Sequence, residues 1–258
     1  MKEALRLPVV HAGKEISHLQ VQLCAPPQKT PLCLVYLHGF GSDQTGEKTI
    51  FFREEALAAG LAYCSFDFQG HGASGGTMRA LTISRNLSDM ALVHEWLKER
   101  DHAHLGLIGS SMGGLTALWY AALHPDGIAA GLHIAPALGM EEGLVKSVGE
   151  ERARRWEAEG VTQFKSDFVS TELGWEFVSD ARNLEVTRLL KIYRTPTLIL
   201  QSKRDESVSW RNVQNFATRC EYEGIDLHLF ADGDHRLTDR KDRLWALMME
   251  FLRGRKIL

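Results

Sequence analysis

The sequence lacks the features that mark secreted, membrane-spanning and nucleic-acid-binding proteins. Four of its 258 residues are cysteine and none forms a CxxC pair, so we expect reduced thiols rather than disulfides or metal ligands. No run approaches the ~18 consecutive apolar residues of a membrane span, and the N-terminal MKEALRLPVVHAGKEIS lacks the apolar core and cleavage site of a signal peptide. The formal net charge of -3 leaves no basic footprint for nucleic acid. These absences predict a cytoplasmic protein without a nucleic-acid partner.

What the sequence does contain is an ordinary globular composition with alternating strand and helix patterns. Hydrophobic residues make up 44% and charged residues 24%, enough for a substantial core. Continuous apolar runs such as LCLVYLHGF and LAYCSFDF are typical of buried parallel strands, whereas TISRNLSDMALVHEWLKER has helical periodicity. This alternation predicts an α/β fold, a mostly parallel sheet with helices on both faces.

Polar and glycine-rich segments follow five of the strand-like runs. They are HGFGS, DFQGHGAS, GSSMGG, SKRDES and DGDH. In a parallel sheet the working site lies at the carboxyl ends of the strands. We therefore expect these segments to converge on one functional site.

One long segment interrupts the alternation. We assign residues 1–136 and 195–258 to the α/β core and residues 137–194 to an insertion, which is too long for a simple crossover. The insertion is either a solvated helix with a hairpin or a small cap over the strand ends, and we favour the cap because long insertions at this edge are usually functional. Its aromatic residues either line a substrate pocket or form the core of the cap: Phe164, Phe168, Trp175 and Phe177.

A nucleophile candidate lies in GSSMG, residues 109–113, which fits the pattern G-x-S-x-G between a strand and a helix. Glycines at both ends allow a sharp, strained turn that projects the central hydroxyl. This geometry makes Ser111 the candidate, whereas Ser110 is expected to pack or to hydrogen-bond locally.

A serine hydroxyl needs a base to accept its proton and an acid to orient that base. His235 lies in a glycine-containing loop after the last strand, whereas His228 alternates within that strand, so His235 is the base candidate. Asp205 follows the preceding strand and is favoured as the acid over Glu206 and Asp234, because base and acid must meet through space.

Other histidines suggest competing sites. His38 and His71 follow strands, and Asp67 is close to His71, but a triad of Asp67, His71 and Ser111 would have the wrong chain order for this fold. We interpret them as loop-stabilising residues. His102 and His104 lack a carboxylate or cysteine at ligand spacing, so neither a metal nor another cofactor is expected.

Two backbone amides are candidates for an oxyanion hole. The amide of Met112 opens the helix after Ser111, where the helix dipole favours negative charge. The amide of Phe40, in the HGFGS loop, is the expected second donor.

In chain order, YLHGFGS, FDFQGHGASGG, GSSMGG, LILQSKRDESV and DGDHRLTD resemble the motifs of the α/β-hydrolase superfamily over nearly the whole chain. The resemblance implies an eight-stranded, mostly parallel sheet. Carried over position by position, it makes Ser111 the nucleophile, Asp205 the acid and His235 the base, with Phe40 and Met112 as oxyanion amides.

Within the superfamily, the motifs look most like small serine esterases and thioesterases, of the feruloyl or cinnamoyl type or of the acyl-thioesterase and acyl-glucuronide esterase branch. One departure is Gln201-Ser202, where the family often has His-Gly, although the D-x-x-V pattern from Asp205 to Val208 is retained. A serine at position 111 argues against dehalogenase or epoxide-hydrolase chemistry, for which the resemblance would demand an aspartate.

The sequence therefore predicts a serine hydrolase that cleaves a small-molecule carboxylic ester or thioester through an acyl-enzyme. Two alternatives are a peptidase or amidase and a non-catalytic ligand-binding protein on the same fold. The complete set of site residues weighs against the second alternative.

Overall fold

The computed structural model describes residues 2–30, 32–166 and 169–258, in which strands and helices alternate. The strands are β1 Lys2–His11, β2 Lys14–Cys24, β3 Cys33–Leu37, β4 Ala62–Phe66, β5 Leu105–Ser110, β6 Ile128–Ile134, β7 Val161–Lys165, β8 Ser170–Gly174, β9 Thr197–Ser202 and β10 Ile225–Phe230. The helices are α1 Glu47–Ala58, α2 Ile83–Lys98, α3 Met112–Leu123, α4 Met140–Val148, α5 Glu150–Glu159, α6 Glu176–Asn183, α7 Val186–Ile192, α8 Trp210–Arg219 and α9 Lys241–Gly254.

Eight of these strands form one sheet in the order β1-β2-β4-β3-β5-β6-β9-β10. β4, β3, β5, β6, β9 and β10 run parallel, while β1 and β2 are antiparallel at one edge. The central strand β5 is buried along its whole length, as its apolar run predicts. The mostly parallel eight-stranded sheet confirms the predicted fold class.

A hydrophobic core lies on each face of the sheet. On one face, α2, α3 and α8 contribute buried residues such as Met90, Trp119 and Phe216. On the other face, α1 and α9 meet, and the rings of Phe52 and Trp245 lie 6.3 Å apart. With both faces covered, the sheet is held rigidly and its carboxyl-end loops have a fixed base.

Two parts of the chain differ from, or add to, the sequence-based description. β1 was not predicted; it pairs with β2 through a two-residue turn in which Ala12 and Gly13 have positive φ. The segment between β6 and β9 contains α4, α5, the antiparallel pair β7–β8, α6 and α7, so it is richer in helix than the predicted charged helix and hairpin.

Within the described ranges, no helix is both long and apolar enough to cross a bilayer.

Candidate active site

Ser111 occupies the sharp turn between β5 and α3. Its backbone has φ 54° and ψ -118°, a conformation that L-residues rarely adopt. The turn is tightly packed, because a Cβ added to Gly113 would overlap the carbonyl oxygen of Leu37. The Ser111 amide donates to the carbonyl of Ile134 at 2.9 Å, which ties the turn to β6. Glycine at position 113 therefore allows the first turn of α3 to pack closely against the end of β3.

The side chains of Ser111, His235 and Asp205 meet at the carboxyl edge of the sheet. His235 Nε2 lies 2.9 Å from Ser111 Oγ, and His235 Nδ1 lies 2.8 Å from Asp205 Oδ2. They follow β5, β10 and β9, three parallel strands whose carboxyl ends lie at the same edge of the sheet. With Nδ1–H donating to the carboxylate, Nε2 is left to accept the serine proton.

Asp205 is held by more than the histidine. Its Oδ1 accepts hydrogen bonds from the amides of Ser207 and Val208 at 2.9 and 2.8 Å. The side-chain amide of Gln201 donates to Oδ2 at 2.8 Å. Burial by itself would raise the pKa of Asp205, but the bonds from His235, Val208 and Gln201 outweigh it, and the pKa is lowered. Asp205 is therefore held as a carboxylate that faces the imidazole.

The competing acids are placed elsewhere. Glu206 is exposed, and Asp234 Oδ1 accepts from the amides of Arg236 and Leu237 at 3.0 and 2.7 Å. His228 lies in β10, with its ring 4.6 Å from that of Phe230.

His38 and His71 form a second pair of rings, 4.9 Å apart, beside the site. His38 Nε2 accepts from the amide of Phe68 at 3.1 Å, and its Nδ1 lies 2.9 Å from the carbonyl of Gly39. Burial lowers the pKa of His38 to about 4; burial and the neighbouring His38 lower that of His71 to about 3. Both rings are buried and held neutral, which is the structural arrangement that the sequence indicated.

The two candidate oxyanion donors come from the start of α3 and from the loop after β3. Met112 is the first residue of α3, and Phe40 borders the cleft in the loop after β3. Neither amide donates a hydrogen bond to another group in the part of the chain that the structure describes. Both N–H groups are thus available to a ligand oxygen, as an oxyanion hole requires.

Ser111 and His235 open into a cleft of about 890 Å³. The insertion contributes a largely apolar wall to it, whereas the start of α1 and the loops after β3, β9 and β10 contribute a polar wall. The first wall contains Ala137, Met140, Gly143, Leu144, Ser147, Phe164, Ser166 and Val169, and the second includes Ser42, Lys48, Arg204, Glu206, Asp234, Arg236 and Thr238. A cleft with these two walls can hold an apolar group and a polar group at once.

The four aromatic residues of the insertion separate into different environments. Phe164 lines the cleft and stacks edge-on against Phe40 at 5.5 Å. Trp175 packs on Trp156 at 5.2 Å, and Phe177 is fully buried, so these two belong to the core of the insertion. Phe168 lies outside the described residues.

Two polar residues that the sequence analysis did not assign to the site contact it. Gln201 bonds Asp205, and Lys48 Nζ donates to Ser110 Oγ at 3.0 Å. A glutamine at the end of an otherwise apolar strand is a visible signal, because a buried amide needs partners. The contact of Lys48 spans 62 positions and has no local signature.

Residues 2–30, 32–166 and 169–258 contain no group of three His, Cys, Asp or Glu side chains that could hold a metal ion. His104 is exposed and His102 is half-buried.

Comparison with known proteins finds relatives over most of the chain. The mouse protein named palmitoyl-protein thioesterase ABHD10, mitochondrial, is 26% identical over 220 residues, which are 83% of this chain and 72% of that protein. The crystal structure of a protein from Agrobacterium vitis S4, named as a hydrolase, is 27% identical with a TM-score of 0.86 and covers 97% of this chain and 99% of its own. Est1E from Butyrivibrio proteoclasticus, solved with ferulic acid bound, has a TM-score of 0.79 at 24% identity and covers 97% of this chain and 100% of its own.

A family model described as serine aminopeptidase, S33, matches residues 28–172, more than half of the chain. The matched region includes the loop with Phe40 and the turn with Ser111. Together with the parallel sheet and its carboxyl-edge site, this match shows that the chain belongs to that serine aminopeptidase S33 family of α/β-hydrolase-fold proteins.

Proposed function

We propose that this protein is a serine hydrolase that cleaves a carboxylic ester or thioester through an acyl-enzyme intermediate. The observation that carries the proposal is the continuous chain of contacts from Ser111 Oγ through His235 to Asp205, at 2.9 and 2.8 Å. Both distances lie within hydrogen-bond reach, as a nucleophile, a base and an orienting acid require.

In the proposed reaction, Ser111 Oγ attacks the substrate carbonyl carbon while His235 Nε2 takes the hydroxyl proton. The carbonyl oxygen becomes an oxyanion, which the amides of Phe40 and Met112 stabilise. When the tetrahedral intermediate collapses, His235 gives the proton to the departing alcohol or thiol, and an acyl-serine remains. His235 then takes a proton from water, whose oxygen attacks the acyl carbon, and gives that proton to Ser111 Oγ when the second tetrahedral intermediate collapses and releases the acid product. Asp205 stabilises the imidazolium in both halves of the cycle.

The charges in the cleft support esters and thioesters over the aminopeptidase substrates that the family description suggests. An aminopeptidase needs a carboxylate for the substrate ammonium. Three carboxylates line the described cleft: Glu47 already pairs with Lys241, Asp234 is bonded to two amides, and Glu206 is exposed to solvent. The cations Lys48, Arg204 and Arg236 also line the cleft, and their positive charge disfavours binding of a substrate ammonium. The names of the thioesterase and of the ferulic-acid-binding relative agree with acyl-transfer chemistry on oxygen or sulfur.

We also propose that residues 137–194 act as a cap that receives the acyl group. Met140 and Leu144 lie on α4, and Phe164 and Val169 come from the β7–β8 region, and all four face the cleft. Val169 also lies against the glycine loop after β3, because a Cβ added to Gly41 would lie 3.0 Å from Val169 Cβ. The cap thus contacts the loop that contains Phe40. Cytoplasmic location stays a prediction, and the mouse relative is named as mitochondrial.

The test replaces the proposed nucleophile. Ser111→Ala should lower kcat on p-nitrophenyl esters by about 10³- to 10⁶-fold, as for other triads, and should abolish labelling by a fluorophosphonate probe. Ser179→Ala, an exposed serine on α6, is the matched control and should keep both. Near-full activity in Ser111→Ala would contradict the assignment. A panel of esters, acyl-thioesters and aminoacyl amides then tests the substrate class: dominant amide cleavage would favour a peptidase, and a wild-type protein that neither turns over nor labels would favour a binding protein.

A further inference from the structure

Lys48, in the first turn of α1, is a cation placed between the nucleophile turn and the base loop. Its Nζ donates to Ser110 Oγ at 3.0 Å and to the carbonyl oxygen of Arg236 at 2.6 Å. Ser110 immediately precedes Ser111, and Arg236 immediately follows His235. We propose that Lys48 is a positioning residue, which holds the base loop at working distance from the nucleophile by bonding both at once. This inference rests on the proposed function of Ser111 and His235.

The Ser110 end of this bridge is rigid. Ser110 is 7% exposed and ends β5, and its side chain lies close to that of the buried Tyr36. Tyr36 lies on β3, the strand beside β5, and is also close to Thr49 on α1. Lys48 therefore extends from a fixed polar cluster between α1 and the two central strands.

The Arg236 end of the bridge is on a loop. That loop follows β10 and is tied to β9 by the bond from Ser202 Oγ to the carbonyl of Gly233 at 2.6 Å and by the contact between Asp205 and His235. Ser202 and Asp205, which make these two contacts, lie at the end of β9 and in the loop after it. Lys48 adds a tie from α1, so the loop is held from two different elements. Without it, His235 keeps its acid but loses a restraint on its distance from Ser111.

The chemistry of Lys48 indicates a role other than a structural ion pair. No carboxylate in the described part of the chain forms an ion pair with its ammonium, while Arg236 and Asp234 act on it with opposite sign. Burial lowers its pKa to about 8, with Arg236 adding to this and Asp234 opposing it. Lys48 is half-buried and lines the cleft, so an unbranched apolar residue of similar length should fit in its place without leaving a buried charge unpaired.

Removal of the bridge should change the reaction without unfolding the protein. A displacement of about 1 Å between reacting groups can cost about 10²-fold in rate. Lys48→Met should therefore lower kcat and the rate of fluorophosphonate labelling by about 10- to 100-fold, with KM changed by less than about 3-fold. Its Tm should stay within a few degrees of that of the wild-type protein, because only two partly exposed hydrogen bonds are lost.

The experiment compares Lys48→Met with Lys98→Met, which removes an exposed lysine that pairs with Glu95 on α2, outside the cleft. Rates are normalised to folded protein, and Lys98→Met should stay within about twofold of wild type because it touches neither end of the bridge. Ser110→Ala and the double variant complete a cycle, in which the double variant should be no slower than Lys48→Met alone.

Two results would overturn the inference: labelling and kcat within twofold of wild type in Lys48→Met, or single effects that multiply fully in the double variant. A wild-type protein that fails to label, or a Ser111→Ala variant that still does, would instead remove the proposed function itself. The two failures are therefore distinguishable.

Discussion

Two pairs of aspartate and histidine lie on loops at the carboxyl edge of the sheet, and only one of them has a carboxylate in contact with the imidazole. Asp205 and His235 are 30 positions apart, yet their side chains meet at 2.8 Å. Asp67 and His71 are close in sequence, but the Asp67 oxygens accept bonds from other groups. Oδ1 accepts from the amide of Gln44 at 2.7 Å, and Oδ2 accepts from the amide of Ala73 at 2.9 Å.

The two carboxylates differ in how many of their oxygens bond backbone amides: both oxygens of Asp67 do, but only one oxygen of Asp205 does. Asp67 ties the loop after β3 to the loop after β4, whereas Asp205 uses one oxygen for its own turn and presents the other to His235. The comparison teaches that proximity in sequence does not make a dyad: an aspartate a few residues from a histidine is well placed to satisfy local amides. An acid from another strand is free to orient a base.

The largest expected effect comes from breaking the contact in the first pair. Asp205→Asn should lower kcat by about 10³- to 10⁴-fold, because an amide favours the wrong tautomer of His235. Steady-state kinetics on a p-nitrophenyl ester measures this. Glu206→Gln, next along the chain, should cost less than tenfold; a larger loss there than in Asp205→Asn would reverse the assignment of the acid.

The equivalent change in the second pair should affect stability instead. Asp67→Asn places an amide group against backbone donors in a buried site, at a cost of about 2–3 kcal/mol in the free energy of unfolding. Urea denaturation measures that cost, and rates normalised to folded protein should keep at least a tenth of wild-type activity. A loss of activity as large as that of Asp205→Asn, with stability unchanged, would make Asp67 part of the chemistry.

The smallest expected effect is a pH dependence from the second pair. Because burial and His38 lower the pKa of His71 from its ordinary 6.5 to about 3, the unfolded chain binds a proton between these values that the folded chain does not. Stability from the neutral ring is thus complete above pH 6.5 and is lost as the pH falls. Between pH 7 and pH 5, the free energy of unfolding of His71→Gln should fall by about 2 kcal/mol less than that of the wild-type protein.

Urea denaturation at the two pH values tests this, with the exposed His104→Gln as the control that keeps the wild-type pH dependence. Equal losses in wild type and His71→Gln would mean that His71 is charged in the folded protein.

Much of the core could be predicted from the sequence because its signals are local. The apolar run of β3 and the glycines around Ser111 each follow from nearby residues, and the strands and the turn are where these patterns place them. The order of the parallel strands then brings Ser111, Asp205 and His235 to one edge. Their catalytic roles stay a prediction until the variants are measured.

The remainder depends on contacts between distant residues. β1 alternates half-buried Leu5, Leu7 and Val9 with exposed residues, but its proline weakens this strand signal, and β2 supplies the partner that completes it. The helices of the insertion are short, and α7 has only seven residues, so tertiary packing rather than propensity determines them. The position of Lys48 between Ser110 and Arg236 requires that α1, β5 and the loop after β10 are already assembled.

The outer strand β1 also has a consequence for how the molecule behaves when it is concentrated. A free sheet edge is a template on which another chain can add a strand and begin to aggregate. Here Pro8 has no N–H to donate, Lys2 and Arg6 carry charge along the strand, and a bulge between Val9 and Val10 disturbs its regular spacing. These features disfavour edge-to-edge association between copies of the chain at this edge of the sheet.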